Sequence, residues 1–366
     1  MQTRYQVVLY DTNGVRQAVF DDWISLNVDK IVNGIHTHQL SMSEDDPRVS
    51  LFTLDSLVEV KRSVLDEGLD WYREYIGLHR TTQFNTTVTG KGIFTSYGRG
   101  LCDLLARRYI LYPAGDPTYS TKNAPGETTM KEFVEENAGP SATAPPRLYN
   151  GVTSGLSIQV TAGQGAIWEG DRAYKNLLDI LKEVALATGV DFDVVYLGNA
   201  TFEFRAYYPQ LGTSKIQGST NPVIFSTLHG DMLKPYYTIS RTEEVTSIVV
   251  LGQGQEANRM NFQLSSADTA DSPWNTIELV RDARQESTIV GLQSIATAEL
   301  EKLQAQEKFT FDVLQIPSSI YGLHYVLGDV ITARYRSVSR NKKIIGVSLT
   351  CNESGESIRV EFGDVP

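Results

Sequence analysis

The chain has 366 residues, of which 41% are hydrophobic and 21% charged, as in folded globular proteins of two or three domains. Its formal net charge of −11 disfavours binding to nucleic-acid phosphates, because such binding needs clustered Lys and Arg. No apolar run is long enough for a membrane span, and the first residues lack the basic and apolar regions of a signal peptide. We therefore expect a soluble protein that is not exported by a signal peptide.

The first region, residues 1–98, reads as short alternating strands separated by turns. The segments that carry this pattern are "YQVVLY", "WISLNV", "GIHTHQLSMS" and "SLVEVKR". Turn signals such as "DTNG" and "EDDP" separate them. Several short alternating strands at close spacing predict an antiparallel barrel or sandwich.

The middle region, residues 99–227, alternates helical and strand patterns. The segment "LCDLLARRYI" has helical spacing, and Thr129 with Glu132 forms a capping-box pattern at the start of a second helix. A third helix is predicted over residues 171–188, with Asp171 as its N-cap and Gly189 at its end. The segments "DFDVVYL" and "TFEFRAYY" flank the turn "GNA" and predict a hairpin.

The last region, residues 228–366, is again rich in strand patterns. It contains one amphipathic helix at about 288–306 and ends in a hairpin in which "KKIIGVSLTC" and "ESIRVEFG" flank the turn "NESG". The chain's cysteines, Cys102 and Cys351, lie far apart and are expected to be free thiols. The predicted fold class is therefore a mixed, β-rich α+β protein.

One stretch resembles a dinucleotide-binding turn. The segment "IVVLGQGQEA" places Gly252, Gly254 and Ala257 at G-x-G-x-x-G/A spacing after an apolar run. Such a turn must open a helix whose amides hold the pyrophosphate, but the following residues carry no helical stripe. We interpret the glycines as a strand end or bulge, and we expect no cofactor.

Two histidines and three carboxylate runs are candidates for metal or acid–base sites. His36 and His38 alternate and could share one face of a strand, but no cluster supplies a third and fourth ligand. The carboxylate runs lack the ligand spacing of a calcium loop and are expected to be solvated turn charges; they are Asp21-Asp22, Glu44-Asp45-Asp46 and Glu243-Glu244. No nucleophile elbow, P-loop or Cys/His dyad is present, so no catalytic or metal site is predicted.

The order of segments resembles the tail-hub family of long-tailed phages and prophages. It is distantly similar to contractile-phage baseplate hubs and to the bases of type VI secretion spikes. The segments that carry the resemblance are "DWISLNVDKIVNGIHTHQLSMSEDDP", "LCDLLARRYILYP", "MKEFVEENAG", "RAYKNLLDILKEVALATGVDFDV", "YYTISRTEEVTSIVVLGQGQEANR", "VGLQSIATAELEKLQ" and "YVLGDVITARY…IIGVSLTCNESGESIRVEFG".

The resemblance implies two β-barrel-like hub domains, residues 1–98 and 228–366, with an α+β domain, residues 99–227, inserted between them. It also implies a structural, non-enzymatic protein of the virion tail tip, assembled in the host cytoplasm. Three copies would form a ring that closes the tail tube and adapts six-fold to three-fold symmetry. The implied partners are a distal tail protein ring, the C-terminus of the tape-measure protein and tail-tip or fibre proteins, with DNA passing through the lumen without specific binding.

The ring would need contacts between the first barrel of one copy and the second barrel of the next. A basic run near the C-terminus is the predicted partner of the acidic segments Glu44-Asp45-Asp46 or Asp66-Glu67. The run comprises Arg334, Arg336, Arg340, Lys342 and Lys343. The predicted interface residues are His36, His38, Glu44, Asp45, Asp46, Arg334, Arg336 and Arg340.

Two other function classes remain open at this stage. The first is a tail-associated enzyme that degrades the cell envelope; related hubs carry such domains after the hub portion, and we expect none here because the chain ends at "EFGDVP". The second is a carbohydrate-binding β-protein, for which 4 Trp and 18 Tyr offer stacking surfaces. Their scatter along the chain favours use in the core and in interfaces.

Overall fold

The computed structural model describes residues 3–112, 119–142, 147–149 and 155–365. By their contacts, the described residues divide into two compact units. The first comprises those of Met1–Leu233 and Asp312–Pro366, and the second is Lys234–Phe311. The predicted division at residues 98 and 227 follows sequence pattern instead of contacts, and it stays a prediction.

The described residues form strands and four α-helices. The helices are α1 (Asp103–Ala106), α2 (Gly126–Asn137), α3 (Leu177–Thr188) and α4 (Ile289–Lys302). The strands are β1 (Thr3–Tyr10), β2 (Arg16–Phe20), β3 (Ser25–Ile31), β4 (Thr37–Ser43), β5 (Leu57–Val64), β6 (Leu69–Thr86), β7 (Gly92–Gly100), β8 (Ser120–Pro125), β9 (Leu156–Ile158), β10 (Ile167–Arg172), β11 (Asp191–Gly198), β12 (Thr201–Tyr207), β13 (Ser214–Lys215), β14 (Ile224–Ser226), β15 (Met232–Ser240), β16 (Ser247–Leu251), β17 (Asn261–Ser265), β18 (Glu278–Asp282), β19 (Gln306–Val313), β20 (Val330–Tyr335), β21 (Val338–Asn352) and β22 (Gly355–Asp364). None of the helices in the described ranges has both the length and the apolar character that a membrane span requires.

One large sheet in the first unit joins the beginning of the chain to its end. Its strand order is β13-β20-β21-β3-β4-β7-β6-β5-β1-β2, with β14 also paired to β20 and β22 also paired to β21. The short strands β13 and β14 run parallel to β20, whereas the pairs from β20 through to β2 are antiparallel. Among the described residues no sheet closes into a barrel, so the implied pair of closed barrels is not formed by these hydrogen-bonded ladders.

The long strand β21 connects the two halves of this sheet. Its residues 338–343 pair with β20, and its residues 346–352 pair with β3. On the other edge, β22 pairs with residues 342–352, with an irregularity between Ile344 and Gly346. The predicted C-terminal hairpin is thereby confirmed, and its first strand is shared by both halves of the sheet.

The strand β5 departs from the simple alternation that its sequence suggests. Its burial extends to both faces, so that Glu59, Arg62 and Ser63 are as inaccessible as its valines. Charged side chains are almost never fully buried unless they are paired. The charged side chains of Glu59 and Arg62 must therefore be paired with side chains of other segments.

A smaller α+β module occupies the middle of the first unit. The hairpin β11–β12, which the sequence predicts, forms a three-stranded sheet with β9. Helices α2 and α3 pack on each other, and α2 packs on β12, around a core that includes Phe133, Leu181 and Phe204, each 0% exposed. Burial of an apolar side chain of this size contributes roughly 1.5–3 kcal/mol.

Two contacts fix this module to the large sheet. The carboxylate of Asp191 accepts hydrogen bonds from Asn33 Nδ2 at 2.9 Å and from Lys343 Nζ at 2.6 Å. The turn of the β1–β2 hairpin also meets the tip of the β11–β12 hairpin: a Cβ added to Gly14 would lie 2.5 Å from the backbone nitrogen of Ala200. The module is therefore held at both ends of its hairpin.

Two predicted helix starts are wrong. Helix α2 begins at Gly126 after Pro125, so Thr129 lies inside the first turns, where its hydroxyl donates to the carbonyl of Ala124 at 3.2 Å. The capping box fails because strand β8 runs directly into this helix, and Pro125 sets the N-cap conformation.

Helix α3 likewise starts later than predicted. Asp171 pairs with Thr121 in the β10–β8 ladder, and Asn176 caps the helix by accepting a hydrogen bond from the amide of Leu178 at 3.1 Å. The helix does end at Gly189, whose φ of 69° is the expected left-handed C-cap. The region predicted as the first helix, "LCDLLARRYI", contains only the four-residue helix α1.

The second unit is a small α/β sandwich. Strands β17, β16 and β18 form a sheet, and α4 packs on β16 and β17. Its core contains Ile248 and Val250 from the sheet and Leu292 and Ala296 from the helix, all 0% exposed. Thr288 caps α4 by accepting from the amide of Gly291, and the helix ends at Lys302, somewhat before the predicted residue 306.

Candidate functional site

A buried arginine joins an early strand of the chain to its last hairpin. Arg62, on β5, is 0% exposed. Its Nε lies 2.7 Å from Oε1 of Glu356, the second residue of β22, and its Nη2 lies 3.0 Å from Oε2. Its Nη1 donates to the carbonyl of Tyr321 at 2.8 Å. Two parallel N–H···O bonds fix both the distance and the orientation of the pair.

A second buried carboxylate lies beside this pair. Glu74 Oε1 accepts hydrogen bonds from Lys30 Nζ at 2.6 Å and from the hydroxyl of Tyr321 at 2.8 Å. Its Oε2 accepts from the hydroxyl of Tyr72 at 2.6 Å. We refer to Arg62, Glu356, Glu74 and Lys30 as the ionic cluster.

The charges of the ionic cluster balance, which explains why they can be buried. The side chains of Arg62 and Glu74 are 0% and 1% exposed, and those of their partners Glu356 and Lys30 are 10% and 14% exposed. Burial costs several kcal/mol per ion, and this cost is offset only by close pairing and additional hydrogen bonds. The ionic cluster therefore fixes one arrangement of β3, β5 and β6 against β22 and the loop that precedes β20.

Neutral tyrosines complete the hydrogen bonds of the ionic cluster. The hydroxyl of Tyr5 donates to Glu356 and that of Tyr321 to Glu74. Burial, followed by the charge of the neighbouring carboxylate, raises the pKa of both tyrosines well above its usual value. Both therefore stay protonated and act as donors at physiological pH.

Two buried histidines lie on β4 and β6, the strands on either side of β7 in the large sheet. His79 Nδ1 is 2.7 Å from Ser96 Oγ, and His38 Nε2 is 3.3 Å from the same atom. His38 Nδ1 lies 3.0 Å from the hydroxyl of Tyr75, and His79 Nε2 lies 2.9 Å from Thr82 Oγ1. Burial, with repulsion from His79, lowers the pKa of His38 to about 3, so His38 is neutral at pH 7.

The predicted interface histidines have different environments. His36, just before β4, is half-buried, whereas His38 is only 3% exposed and uses both ring nitrogens within the chain. In the described residues no group of three or more His, Cys, Asp or Glu side chains is placed to hold a metal ion. A contact of these histidines with another chain stays a prediction.

The predicted acidic interface segment lies directly after β4. Glu44 and Asp45 are exposed, whereas Asp46 caps a 3₁₀ turn at Pro47–Leu51 and pairs with Arg48 at 2.6 Å. Hydrogen bonds from Arg48 lower the pKa of Asp46. Within this segment, the carboxylates of Glu44 and Asp45 are the ones directed to solvent.

The predicted basic run divides into an exposed and a buried part. Arg336 is exposed at the β20–β21 turn and Arg340 is exposed on β21, whereas Arg334 is half-buried beside Gln217, to which it donates a hydrogen bond. Arg336 also adopts a positive φ of 54°. Arg336 and Arg340 are therefore accessible to solvent, whereas the following lysines are not.

Lys342 and Lys343 were expected to belong to that basic surface, and this expectation is wrong. They are 4% and 8% exposed, and they pair with Asp364 and Asp191 at 2.5 and 2.6 Å. Because each lysine holds a carboxylate of another segment, both have a structural role within the chain.

The glycine-rich stretch does not open an α-helix. Strand β16 ends at Leu251, and Gly254 has a φ of 113° in the loop that follows. A three-residue 3₁₀ turn, Glu256–Asn258, leads into β17, which pairs back on β16. The predicted strand running into a turn is confirmed, and the helix N-terminus that a pyrophosphate needs does not follow the glycines.

The remaining candidate groups for a reactive site are two thiols and the carboxylate of Glu244. Cys102 is buried, its thiol donates to Asp193 Oδ1 at 3.3 Å, and burial raises its pKa well above the usual range, which disfavours a reactive thiolate. Cys351 is also a free thiol, as predicted. Glu244, expected to be a solvated turn charge, is 3% exposed and pairs with Arg241 at 2.8 Å.

The ionic cluster was not predicted from the sequence. The available signal was the segment "SLVEVKR", in which Glu59 and Arg62 interrupt a strand of otherwise buried type. That signal points to a buried charge but not to its partner, because Glu356 lies 294 positions away. A charge in a strand that is buried on both faces must have a partner, but the partner can be identified only when the topology is known.

The fold is that of solved prophage tail proteins. The 43 kDa tail protein of prophage MuSo2 from Shewanella oneidensis matches with a TM-score of 0.59 at 12% identity, over 98% of each chain. Prophage tail protein gp18 from Listeria monocytogenes EGD-e gives a TM-score of 0.55 at 10% identity, over 97% of this chain and 94% of its own. The Francisella PdpA-VgrG complex in its lidded form gives 0.56 at 8% identity, over 100% of this chain and 53% of that one.

Sequence comparison identifies the family. No similar chain was found among curated proteins. The family model described as Siphovirus ReqiPepy6 Gp37-like protein matches residues 6–364, which is nearly the whole chain. The predicted resemblance to phage tail proteins is thereby confirmed. The chain belongs to the Siphovirus ReqiPepy6 Gp37-like family and has the fold of prophage tail proteins.

Proposed function

We propose that this chain is the hub protein of a phage or phage-like tail tip, where three copies form a ring that closes the tail tube. The observation that carries the proposal is the fold shared with the MuSo2 tail protein over 98% of both chains. In this role the protein is a structural part of the virion, assembled in the host cytoplasm before it joins the tail.

The proposed ring needs two barrel-like halves in each copy. We assign β1 and β4–β7 to one half and β20–β22 to the other, with β21 joined to the first half through β3. If the halves are related by about 60°, three chains closing head to tail present six similar positions. Such a ring would match a six-fold tube on one side and a three-fold tip on the other, with the segment 99–227 as the insertion.

The interface we propose joins the β20–β21 turn of one copy to the end of β4 in the next. Arg336 is exposed at that turn, and Arg334 lies beside it. Glu44 and Asp45 are the exposed carboxylates after β4. Opposite charges on two surfaces of the same chain favour a heterologous contact, the type that generates rings.

The remaining partners belong to the same proposal. The ring would dock on a distal tail protein, contact the C-terminus of the tape-measure protein and carry tip or fibre proteins. A net charge of −11 per copy would repel DNA from the lumen wall instead of binding it.

We further propose that the chain has no enzymatic activity. The thiol of Cys102 is buried with a raised pKa, and the glycine-rich loop is followed by a strand. The proposal is tested by peptidoglycan hydrolysis and NAD titration with the purified chain. Turnover, or NAD binding that is lost in Gly254→Val, would contradict it.

Charge reversal tests the proposed interface in tails assembled by a phage that lacks its own copy. Arg334→Glu together with Arg336→Glu should abolish tail assembly, because like charges would then face each other. Adding Glu44→Arg and Asp45→Arg should restore assembly. Arg359→Glu changes an exposed arginine outside the proposed interface and serves as the matched control. Normal assembly with the reversed arginines would reject this contact.

A further inference from the structure

An open cavity of 410 Å³ lies over the middle of the large sheet, in the first unit. Residues from β3, β4, β6 and β7 line it, all of which are interior strands of the sheet. Its volume is within the usual range for small-molecule sites, which is about 300–1,000 Å³. Apart from His38, the polar residues that line it belong neither to the predicted interface nor to the ionic cluster.

The sheet register places polar side chains in a row across the cavity. Asn27 is opposite Gln39, Gln39 is opposite Tyr97, and Tyr97 is opposite Thr81. Alternate residues of a strand point to the same face, so a second row on this face is expected two residues further along the strands. All four residues line the cavity.

The second row lies two residues further along the same strands. Asp29 is opposite Thr37, and Thr37 is opposite Arg99. Val28, between the two rows on β3, is buried, and the alternation of the strand directs it to the other face of the sheet. The two rows together form one polar floor.

The side chains of this floor are unused by the fold. Within the described residues, no side-chain hydrogen bond within the chain is made by Asn27, Asp29, Thr37, Gln39, Thr81 or Tyr97. By contrast, Ser41, two residues beyond Gln39 on β4, does form a hydrogen bond within the chain, with Thr95 at 3.0 Å. The floor therefore presents free donors and acceptors that converge on one space, the arrangement of a specific polar site.

The charge balance of the cavity decides the chemical class of ligand. Arg99 pairs with Asp103 at 2.5 Å and Arg80 with Asp55 at 2.7 Å, and Arg107 pairs with the same two carboxylates, so this group of side chains carries one positive charge. The carboxylate of Asp29, which also lines the cavity, offsets that charge. A phosphate or sulfate polymer would need excess positive charge, which this cavity lacks.

A peptide is disfavoured for a different reason. Peptides bind by adding a strand to a free sheet edge or by inserting side chains into apolar pockets. This cavity lies over the centre of the sheet, and its lining is hydroxyl, amide and charged groups with one tyrosine ring, together with His38 and Gly98.

We propose that this cavity binds an uncharged saccharide. Asp29, Asn27 and Gln39 would bond sugar hydroxyls, and the ring of Tyr97 would contact the apolar face of a sugar ring. The site belongs to the single chain and does not depend on the proposed trimer.

The test uses the purified full chain on an array of bacterial surface glycans that includes neutral, carboxylated and phosphorylated polymers, with single-stranded DNA as a further probe. Wild type should retain neutral glycans, and Asp29→Asn and Gln39→Ala should each weaken binding about tenfold or more, since each removes a hydrogen bond to the ligand. Ser348→Ala, opposite Asp29 on β21 but outside the cavity, should bind as wild type does. Because the altered side chains make no internal bond, their melting temperatures should stay at the wild-type value.

Four binding results would overturn the proposal. They are an absence of neutral-glycan binding, retention of phosphorylated polymers or DNA alone, binding that both cavity variants leave unchanged, and an equal loss in Ser348→Ala. A lowered melting temperature in both cavity variants would show that these side chains support the fold, and would also reject the site.

Discussion

Arg62 and Glu356, 294 positions apart in the sequence, meet with Nε 2.7 Å from Oε1, and the arginine is completely buried. Replacing Arg62 with Met should destabilise the chain by about 3–5 kcal/mol, because it leaves the Glu356 carboxylate buried without its partner. Urea denaturation of the purified chain measures this change. The double variant Arg62→Met with Glu356→Gln should lose less than the sum of the two single changes, and strict additivity would contradict the coupling.

Two leucines of helix α3 provide a matched test of the module core. Leu181 is 0% exposed and Leu186 is 90% exposed. Leu181→Ala should lower the free energy of unfolding by about 2–5 kcal/mol through the lost contacts and the cavity left behind. Leu186→Ala should change it by less than about 0.5 kcal/mol. Equal effects in the two variants would mean that the buried face of the helix is misassigned.

Two glycines with the same backbone conformation separate strain from steric contact. Gly14 and Gly90 both have a φ of 79°, but only Gly14 faces a neighbour, with an added Cβ 2.5 Å from Ala200 N. Alanine at either position should cost roughly 1 kcal/mol for the left-handed backbone. Gly14→Ala should lower the melting temperature further, because the two hairpins must separate. Matching melting temperatures for the two variants would argue against this hairpin contact.

The buried His38 predicts a loss of stability in acid. In the unfolded chain its pKa is near 6.5, whereas burial lowers the folded value to about 3. Between these values the unfolded chain binds the extra proton, so acidification favours unfolding by up to about 1.4 kcal/mol per pH unit. The part of the free energy of unfolding that depends on neutral His38 is therefore fully present above pH 6.5 and is lost as the pH falls toward 3.

The variant His38→Gln isolates that contribution from the carboxylates, which also titrate in acid. Unfolding free energies of both proteins at pH 7, 6 and 5 should show a shallower pH dependence for the variant, by about one proton. Parallel curves for the two proteins would show that His38 is not the group responsible.

Local patterns predicted the local elements well. The hairpin β11–β12, the end of α3 at Gly189 and the C-terminal hairpin follow from turn residues and periodicity within a few positions. The helix starts failed because Thr129 and Asp171 satisfy a local capping preference that the β10–β8 ladder overrides.

Long-range structure was not available from the pattern. The pairing of β3 with β21, which joins the ends of the chain, depends on register between distant segments. The buried Lys343 also looked like a surface charge, because its partner Asp191 is 152 positions away. The polar floor over β3, β4 and β7 could not be predicted for the same reason, because its side chains converge only when those strands are in register.

The ring of three copies that we propose at the end of the tail tube can be observed directly. A cryo-electron microscopy reconstruction of the assembled tail tip, calculated without imposed symmetry, measures the copy number and the placement of both halves directly. We expect three copies, with the β20–β21 turn of each copy against the end of β4 in the next. Any other copy number, or two halves that do not lie in the same ring, would contradict it.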